Sequence, residues 1–551
     1  MSENLSKLAA RKGLDNPLFE QLVEESKITG TLDAESMKEK AKEFLIGNAS
    51  VYGTVSFYDF LKAENEGKKA YVCSGSACML AGTQDDLLQN LGQHFKSEEI
   101  GQMCCLGRCH ENGAFQFQGK NYSAKSTEEI AKIVSGDAVP HLDNYQVRSN
   151  LNQPILTNSD PNWDDFFNFL KKSLKENPES LLEQLKDSNL RGRGGAGFPM
   201  GFKLESCMNT DAEQKFVVCN ADEGDPGAYS DRYIMESQAH LLLFGMMIAA
   251  YIVGANRGVL YIRAEYPESI DAIRNEIKRF RSYDVLGENV NGKGFDFEFK
   301  IIEGAGAYIC GEETALLSSI EGQRPEVRVR PPFPTQEGLF NLPTVVNNVE
   351  TSASLYHILK YGGKSYASMG NGKSTGSKLV CLDGFFNHPG LLEVPMGLSL
   401  NELIYNLGGG FTTDVKAIHI GGPLGGIVPI SKIKELTLDF ESFANNGFLL
   451  GHASIICIPT HFPMIKYLEH LFEFTADESC GKCFPCSIGS VRGKELIQKA
   501  QNEDFQIDRQ LMDDLLETLE IGSLCALGGG LPLGIKNALT YFEDELKTYF
   551  T

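Results

Sequence analysis

Glu303-Gly-Ala-Gly-Ala-Tyr308-Ile-Cys-Gly311-Glu312-Glu313-Thr-Ala-Leu-Leu317 is the stretch whose reading decides the fold. Residues 295–302 before it read as a strand and the residues after Glu313 as a helix, so the order is strand, glycine loop, helix. Glycines there let backbone amides close on a ligand. Glu312 and Glu313 fall in the first turn, where the macrodipole favours carboxylates. Ordinary helix-start acids would account for either one alone.

Working outward, the alternation repeats. A strand at Lys215-Phe-Val-Val-Cys219 runs into Asn220-Ala-Asp222-Glu223-Gly-Asp225-Pro-Gly, and an apolar helix over 240–254 leads to the strand Gly258-Val-Leu-Tyr-Ile-Arg263. This is a βαβ pattern. Acceptors at the carboxyl end of a strand lie where open α/β sheets bind ligands. Further upstream, Leu190-Arg-Gly-Arg-Gly-Gly-Ala-Gly-Phe-Pro-Met-Gly-Phe-Lys203 contains a formal GxGxxG at Gly192, Gly194 and Gly197. It follows a helix, not a strand, which is the wrong context for a dinucleotide fingerprint. Its glycines with Arg191, Arg193 and Lys203 suit a planar or anionic ligand, or else a flexible loop carrying solvated charges. Two more ligand-like pieces, Pro331-Pro-Phe333-Pro and Val345-Val-Asn347-Asn348-Val-Glu-Thr351, come later.

The cysteines carry a second chemistry. Cys480, Cys483 and Cys486 stand at CxxCxxC spacing, with Cys525 in Ser523-Leu-Cys525-Ala-Leu-Gly528 as a distant fourth. Four such thiolates hold a cubane [4Fe–4S] cluster, although CxxC is also a zinc-knuckle spacing. Near the other end, Cys73, Cys78, Cys105 and Cys109 form a four-thiolate set from two loops, suited to a [2Fe–2S] rhomb. Cys104 replaces Cys105 if that loop slips by one, or is a spare thiol. Cys207, Cys219, Cys310, Cys381 and Cys457 are scattered and read as core thiols.

With 551 residues the chain is too long for one core, and a net charge of −22 argues against nucleic acid or an anionic membrane as partner. Its 14 cysteines fall mostly in metal-ligand clusters, which excludes a disulfide scaffold. The opening Met1-Ser-Glu-Asn-Leu is polar, unlike a signal peptide. The longest apolar run, Leu241 to Ala255, is shorter than the ~18–20 residues of a membrane span, so a buried helix and a cytoplasmic location are expected.

The motif set resembles a known family. Cys73-x4-Cys78 and Cys105-Leu-Gly-x-Cys109, preceded by Val51-Tyr-Gly-Thr-Val-Ser-Phe-Tyr58, are similar to the thioredoxin-like ferredoxin subunit of NADH dehydrogenases over residues 1–135. His110-Glu-Asn-Gly replaces the small and proline residues often found after the last cysteine. RGRGGAGFP, CNADE, GAGAYICGEETALL, PPFP, VVNNVET and the cubane cysteines resemble the FMN- and NADH-binding subunit over about 155–550. The resemblance implies FMN on Gly192, Lys203, Asn220, Asp222, Glu223, Tyr308, Gly311, Glu312, Asn347 and Asn348. It implies NADH beside Gly195, Phe198, Asp225, Glu313 and Phe333, with hydride transfer carried by the flavin and no catalytic side chain. Asp225 is one methylene shorter than the family's usual glutamate, and Leu204, followed by Glu205 and Ser206, stands where an aromatic is usual.

The expected fold class is α/β multidomain. A helical segment plus thioredoxin-like ferredoxin domain spans 1–138, a linker 139–159, and a Rossmann-like FMN/NADH domain 160–375. A β-grasp-like domain covers 376–445, its helix opened by a capping box at Ser399-Leu-Asn-Glu402, and a C-terminal helical bundle with an iron–sulfur cluster covers 446–551. Gly421-Gly-Pro-Leu-Gly-Gly, the cubane loop and Asp225 resemble the β subunit of a soluble NAD-dependent formate dehydrogenase. That resemblance implies a hetero-oligomer without direct membrane contact, whose catalytic subunit carries further clusters and molybdenum or tungsten. The diaphorase of an NAD-reducing hydrogenase, with a nickel–iron partner, and the respiratory NADH dehydrogenase subunit are the alternatives. From another class comes a non-catalytic redox sensor or zinc scaffold.

Overall fold

Strand β6 (Phe216–Ala221) shows how the sequence builds its central layer. Its residues alternate: Phe216 and Val218 belong to one buried cluster, Val217 and Cys219 to the cluster on the opposite face. A strand apolar on both faces must be covered twice, as parallel sheets are. The computed structural model describes residues 13–15, 17–30, 32–137, 145–158 and 160–551. It places β6 in a four-stranded parallel sheet with β7 (Arg257–Ile262), β8 (Glu298–Glu303) and β9 (Thr344–Asn348), in the order β8-β7-β6-β9. Chain order reverses between β6 and β9, which opens a crevice at their carboxyl ends.

The helix Ala239–Val253 covers one face, buried at every position but Tyr251. It crosses the helix Val349–Tyr361 so closely that a Cβ on Gly245 would run into the Ser352 backbone. Among the described residues no single helix is long and apolar enough to cross a membrane.

The other face is covered by the amino-terminal helices. Leu18, Phe19, Leu22, Phe44, Val51 and Tyr58 share a core with Val218, Val259, Tyr261 and Ile302. Tyr58 donates to Ser319 Oγ at 2.7 Å. The helical segment of the 1–138 module therefore packs on the flavin sheet. The ferredoxin module has its own core of Val72, Leu91, Phe115 and Ile133 around β1 (Ala70–Cys73), β2 (Ile100–Met103), β3 (Phe115–Phe117) and β4 (Lys120–Tyr122). Its strand order is β2-β1-β3-β4, with β1 and β2 parallel.

Residues 139–159 are not a simple linker; of these, 139–144 and 159 lie outside the described residues. Strand β5 (Arg148–Ser149) adds to the edge of β13 (Gly390–Pro395). The amides of Ile155, Leu156 and Thr157 then wrap the buried Glu393 carboxylate. Three backbone donors on one carboxylate hold this polar stretch in place.

After the hairpin β10 (Gly370–Asn371) and β11 (Ser374–Thr375), β5 and β13 join β12 (Ser377–Leu382), β14 (Val415–Ile420), β15 (Gly426–Pro429) and β16 (Ser454–Pro459). The order is β15-β14-β16-β12-β13-β5. β16 sits inside this sheet, so the sheet continues past residue 445 and the helical region starts after Pro463. The expected capping box does not form: the π-helical segment Glu402–Leu407 has no side-chain cap, and Ser399 bridges to Thr437.

Candidate functional site

The crevice between β6 and β9 gathers most of the residues singled out in the sequence. Asn220, one residue before the end of β6, is in register with Asn348 at the end of β9, where Asn347 precedes it. Asn220 Nδ2 donates to the Gly311 carbonyl at 2.7 Å, and the Gly311 Cα lies under the Asp222 backbone. The loop after Arg191 closes on itself through the Gly192 amide and the Phe198 carbonyl, 2.9 Å apart, and lays Gly194 against Asn348. Lys203, on the helix Met200–Met208, donates to the Val346 carbonyl at 2.9 Å and pairs with Glu313 at 3.4 Å.

Several of these residues also hold the scaffold. Glu312 is the N-cap of the helix Glu313–Ile320, accepting from the amides of Thr314 and Ala315, so only Glu313 lies in its first turn. Glu223 accepts from the Ser230 hydroxyl and the amides of Asp231 and Arg232, fixing the start of the helix Ser230–Ser237. Asn348 caps the helix Val349–Tyr361 and binds Asp231. The two loop arginines both have protein partners. Arg193 is buried against Tyr366 and the Thr375 carbonyl, and Arg191 is neutralised by Glu441 over the Phe440 ring. Lys203, bonded to the Val346 carbonyl of β9, is the third cation of that stretch.

Two buried polar atoms at the strand ends, Asp222 Oδ2 and Asn347 Nδ2, have no protein partner. Leaving such an atom unsatisfied costs about 1–3 kcal/mol, so a polar ligand that reaches them is stabilised. One carboxylate acceptor, one amide donor, a lysine and a glycine loop suit a flavin with its phosphate. Burial raises the Asp222 carboxyl well above the usual range, against the nearby Arg263 charge.

At the rim, Phe198, Phe202 and Phe333 are exposed, the first two 5.8 Å apart edge to face. Exposed aromatic faces offer stacking surface for a base or nicotinamide. Gly195 lies beside Gly451. Glu313 stands between Lys203 and Arg330, the latter 3.0 Å away. Asp225 is drawn inward: the Tyr308 hydroxyl donates to Oδ1 at 2.6 Å, and His452 Nε2 lies 2.8 Å from Oδ2. Burial raises this carboxyl, but His452, the Tyr308 hydroxyl and Arg263 together outweigh it and the net shift is downward.

The carboxyl-terminal cysteines meet in one apolar cluster with Ile309, Tyr308, Leu424, Phe474 and Leu527. Cys483 is the N-cap of the helix Phe484–Asn502 and Cys525 that of Ala526–Tyr541. Two positive helix ends thus face the thiol set, which favours an anionic cluster there. Burial pushes the Cys486 and Cys525 thiols up, to about 11 and about 12, so metal must displace their protons. Arg324 grips the Cys480 carbonyl with two donors at 3.1–3.2 Å. A cavity of about 330 Å³, away from the crevice, lies between the amino-terminal helices and residues 321–328 and adjoins this loop through Arg324.

In the ferredoxin module Cys105, not Cys104, packs against Cys109, with sulfurs 3.5 Å apart. The Gly107 amide donates to Cys105 Sγ at 3.3 Å and the Gly227 amide to Cys109 Sγ at 3.2 Å. Backbone donors to sulfur suit thiolates bearing cluster charge.

Sequence reasoning passed over Glu478, His452 and Arg263. Glu478 accepts from the Tyr308 amide at 2.9 Å, linking crevice and cubane loop, and burial pushes it up to about 8. Its place beside the CxxCxxC run was the available signal. His452 and Arg263 act across modules, and no local pattern marks them.

Three family models match the chain: the Nuo51 FMN-binding domain over 185–357, the NADH-ubiquinone oxidoreductase-F iron-sulfur binding region over 466–549, and the thioredoxin-like [2Fe-2S] ferredoxin over 7–136. The NADP-reducing hydrogenase subunit HndC of Solidesulfovibrio fructosivorans is 40% identical over 383 residues, covering 69% of this chain and 78% of that one. The NAD-reducing hydrogenase HoxS subunit alpha of Cupriavidus necator is 32% identical over 527 residues, covering 89% and 85%. A crystal structure of an NAD+-reducing [NiFe]-hydrogenase in the H2-reduced state superposes with a TM-score of 0.84 at 26% identity, covering 97% and 92%.

Proposed function

From the premise that this chain belongs to the NADH-binding diaphorase subunits of NADH dehydrogenases and NAD-reducing hydrogenases, we propose how its residues divide the work. The chain carries an FMN domain, a [4Fe–4S] region and a [2Fe–2S] module, and is an NADH-dependent oxidoreductase subunit. FMN, when bound, supplies the exchange between two-electron hydride and single-electron chemistry.

Gly192, Lys203, Asn220, Asp222, Glu223, Tyr308, Gly311, Glu312, Asn347 and Asn348 line the flavin place. The observation that carries this is the pair of unpartnered buried atoms on Asp222 and Asn347 beside Lys203. Lys203 supplies positive charge, while Glu223, Glu312 and Asn348 keep the surrounding helix ends fixed. Gly195, Phe198, Asp225, Glu313 and Phe333 form the nucleotide side, with Phe198 and Phe333 as stacking faces. Cys73, Cys78, Cys105 and Cys109 hold the [2Fe–2S] cluster, and Cys480, Cys483, Cys486 and Cys525 the [4Fe–4S] cluster.

Electrons leave beside Cys483 and Cys525. Phe484 (77% exposed), Ile488 and Val491 lie on one helix face, and Ile521 (76% exposed) and Leu524 lie next to it, where Gly522 touches Pro485. This apolar face is the contact for a cluster-bearing subunit of a hetero-oligomer. For the terminal donor, Asp225 and the Gly421–Gly426 loop support a formate dehydrogenase with molybdenum or tungsten. The fused layout shared with HoxS subunit alpha over 527 residues supports a nickel–iron hydrogenase. Metal analysis of the co-purifying large subunit separates the two. The diaphorase activity itself is tested on anaerobically purified protein: NADH reduces ferricyanide or a viologen, whereas bound FMN without such turnover rejects the reading.

A further inference from the structure

Arg263 stands at the carboxyl end of β7, its side chain 3% exposed. One of its nitrogens, Nη1, donates to the Glu223 carbonyl at 2.6 Å, on the loop beside the flavin place. The other, Nη2, donates to the Cys104 carbonyl at 3.0 Å, on the loop that presents Cys105, and pairs with Glu265 at 2.8 Å. The guanidinium lies 4.9 Å from the Tyr266 ring, whose hydroxyl also donates to the Glu223 carbonyl. The same two loops touch again where the Gly227 amide meets Cys109 Sγ and Arg232 meets the Gly107 carbonyl.

A guanidinium is always charged, its fork reaches two acceptors at once, and in a buried place its field is little screened. We propose that Arg263 is a positioning residue that ties the flavin loop to the [2Fe–2S] loop and, opposed by Glu265, sets how readily that cluster accepts an electron. Reduction adds one electron and one negative charge to the cluster. The Arg263 cation favours that state and the Glu265 carboxylate disfavours it. The inference rests on reading residues 7–136 as a [2Fe–2S] module.

The test is an EPR-monitored reductive titration of the whole chain, purified anaerobically with FMN and both clusters, at fixed ambient potentials. Arg263→Gln shifts the reduced-to-oxidised ratio of the [2Fe–2S] cluster at least tenfold toward oxidised, about 59 mV for one electron. Glu265→Gln shifts it toward reduced, and Arg263→Lys stays near the wild type. The [4Fe–4S] signal, whose cysteines contact neither side chain, shifts less than the [2Fe–2S] signal in all three and serves as internal reference. Unchanged [2Fe–2S] ratios, or shifts of the same sign in Arg263→Gln and Glu265→Gln, overturn the assignment. Should Arg263→Gln lose its cluster, the sign in Glu265→Gln decides. Loss of [2Fe–2S] iron in all three variants overturns the electrostatic role in favour of a purely structural one. NADH–ferricyanide turnover on the same samples reads the diaphorase activity separately.

Discussion

Glu313 is held by two cations, Lys203 and Arg330, on the side of the crevice proposed for the nucleotide. Glu313→Gln removes the charge and keeps the shape. The expected outcome is a KM for NADH raised about tenfold, the scale of one charge-assisted hydrogen bond, with FMN still bound. Flavin loss, measured by absorbance after desalting, would show that Glu313 serves the flavin instead. Its neighbour shows where local reading stops: an acid at a helix start reads equally as ligand or cap, and Glu312 caps. Arg193 lies in a glycine loop, and only the fold brings Tyr366 and Thr375 around it.

Helix starts, more than side chains in isolation, build the cubane place. Gly528 lies in the first turn of Ala526–Tyr541, where a Cβ would stand 2.7 Å from Cys486 Cβ and collide with Ser523 Oγ. Gly528→Ala is therefore expected to lower iron by about four of roughly six atoms per chain while FMN stays bound, as metal analysis and flavin extraction would show. Iron retained in full would mean that this turn does not shape the cluster place. The strand–glycine-loop–helix units and the CxxCxxC run were legible because chain-local spacing encodes them. Strand β5 was not, since two residues gain their partner only from β13, distant in sequence. β16 was passed over for a similar reason: its place between β14 and β12 is a matter of topology.

Across the whole molecule, packing adds a pH dependence that no motif suggests. Burial lowers His240, His357 and His419 to about 4. Unfolded histidines take up protons near 6.5, so between about 6.5 and 4 the unfolded state binds more protons than the folded one. Stability contributed by these neutral rings is present above the unfolded value and is lost as pH falls through the folded one. Thermal melts from pH 7 to 5 should show a falling Tm, and His240→Phe, in its cage of Trp163 and Phe166, should flatten the slope. A slope unchanged in that variant would assign the acid sensitivity elsewhere. At this scale the crevice loops touch both cysteine loops, through Tyr308 and Glu478 at one and Gly227 and Cys109 at the other. The most direct test is an anaerobic NADH titration of the chain carrying FMN and iron, followed by flavin absorbance and EPR together. NADH should bleach the flavin and bring up the signal of the cluster held by Cys480, Cys483, Cys486 and Cys525. A bound flavin that NADH leaves oxidised, or zinc in place of iron on those cysteines, would contradict the account.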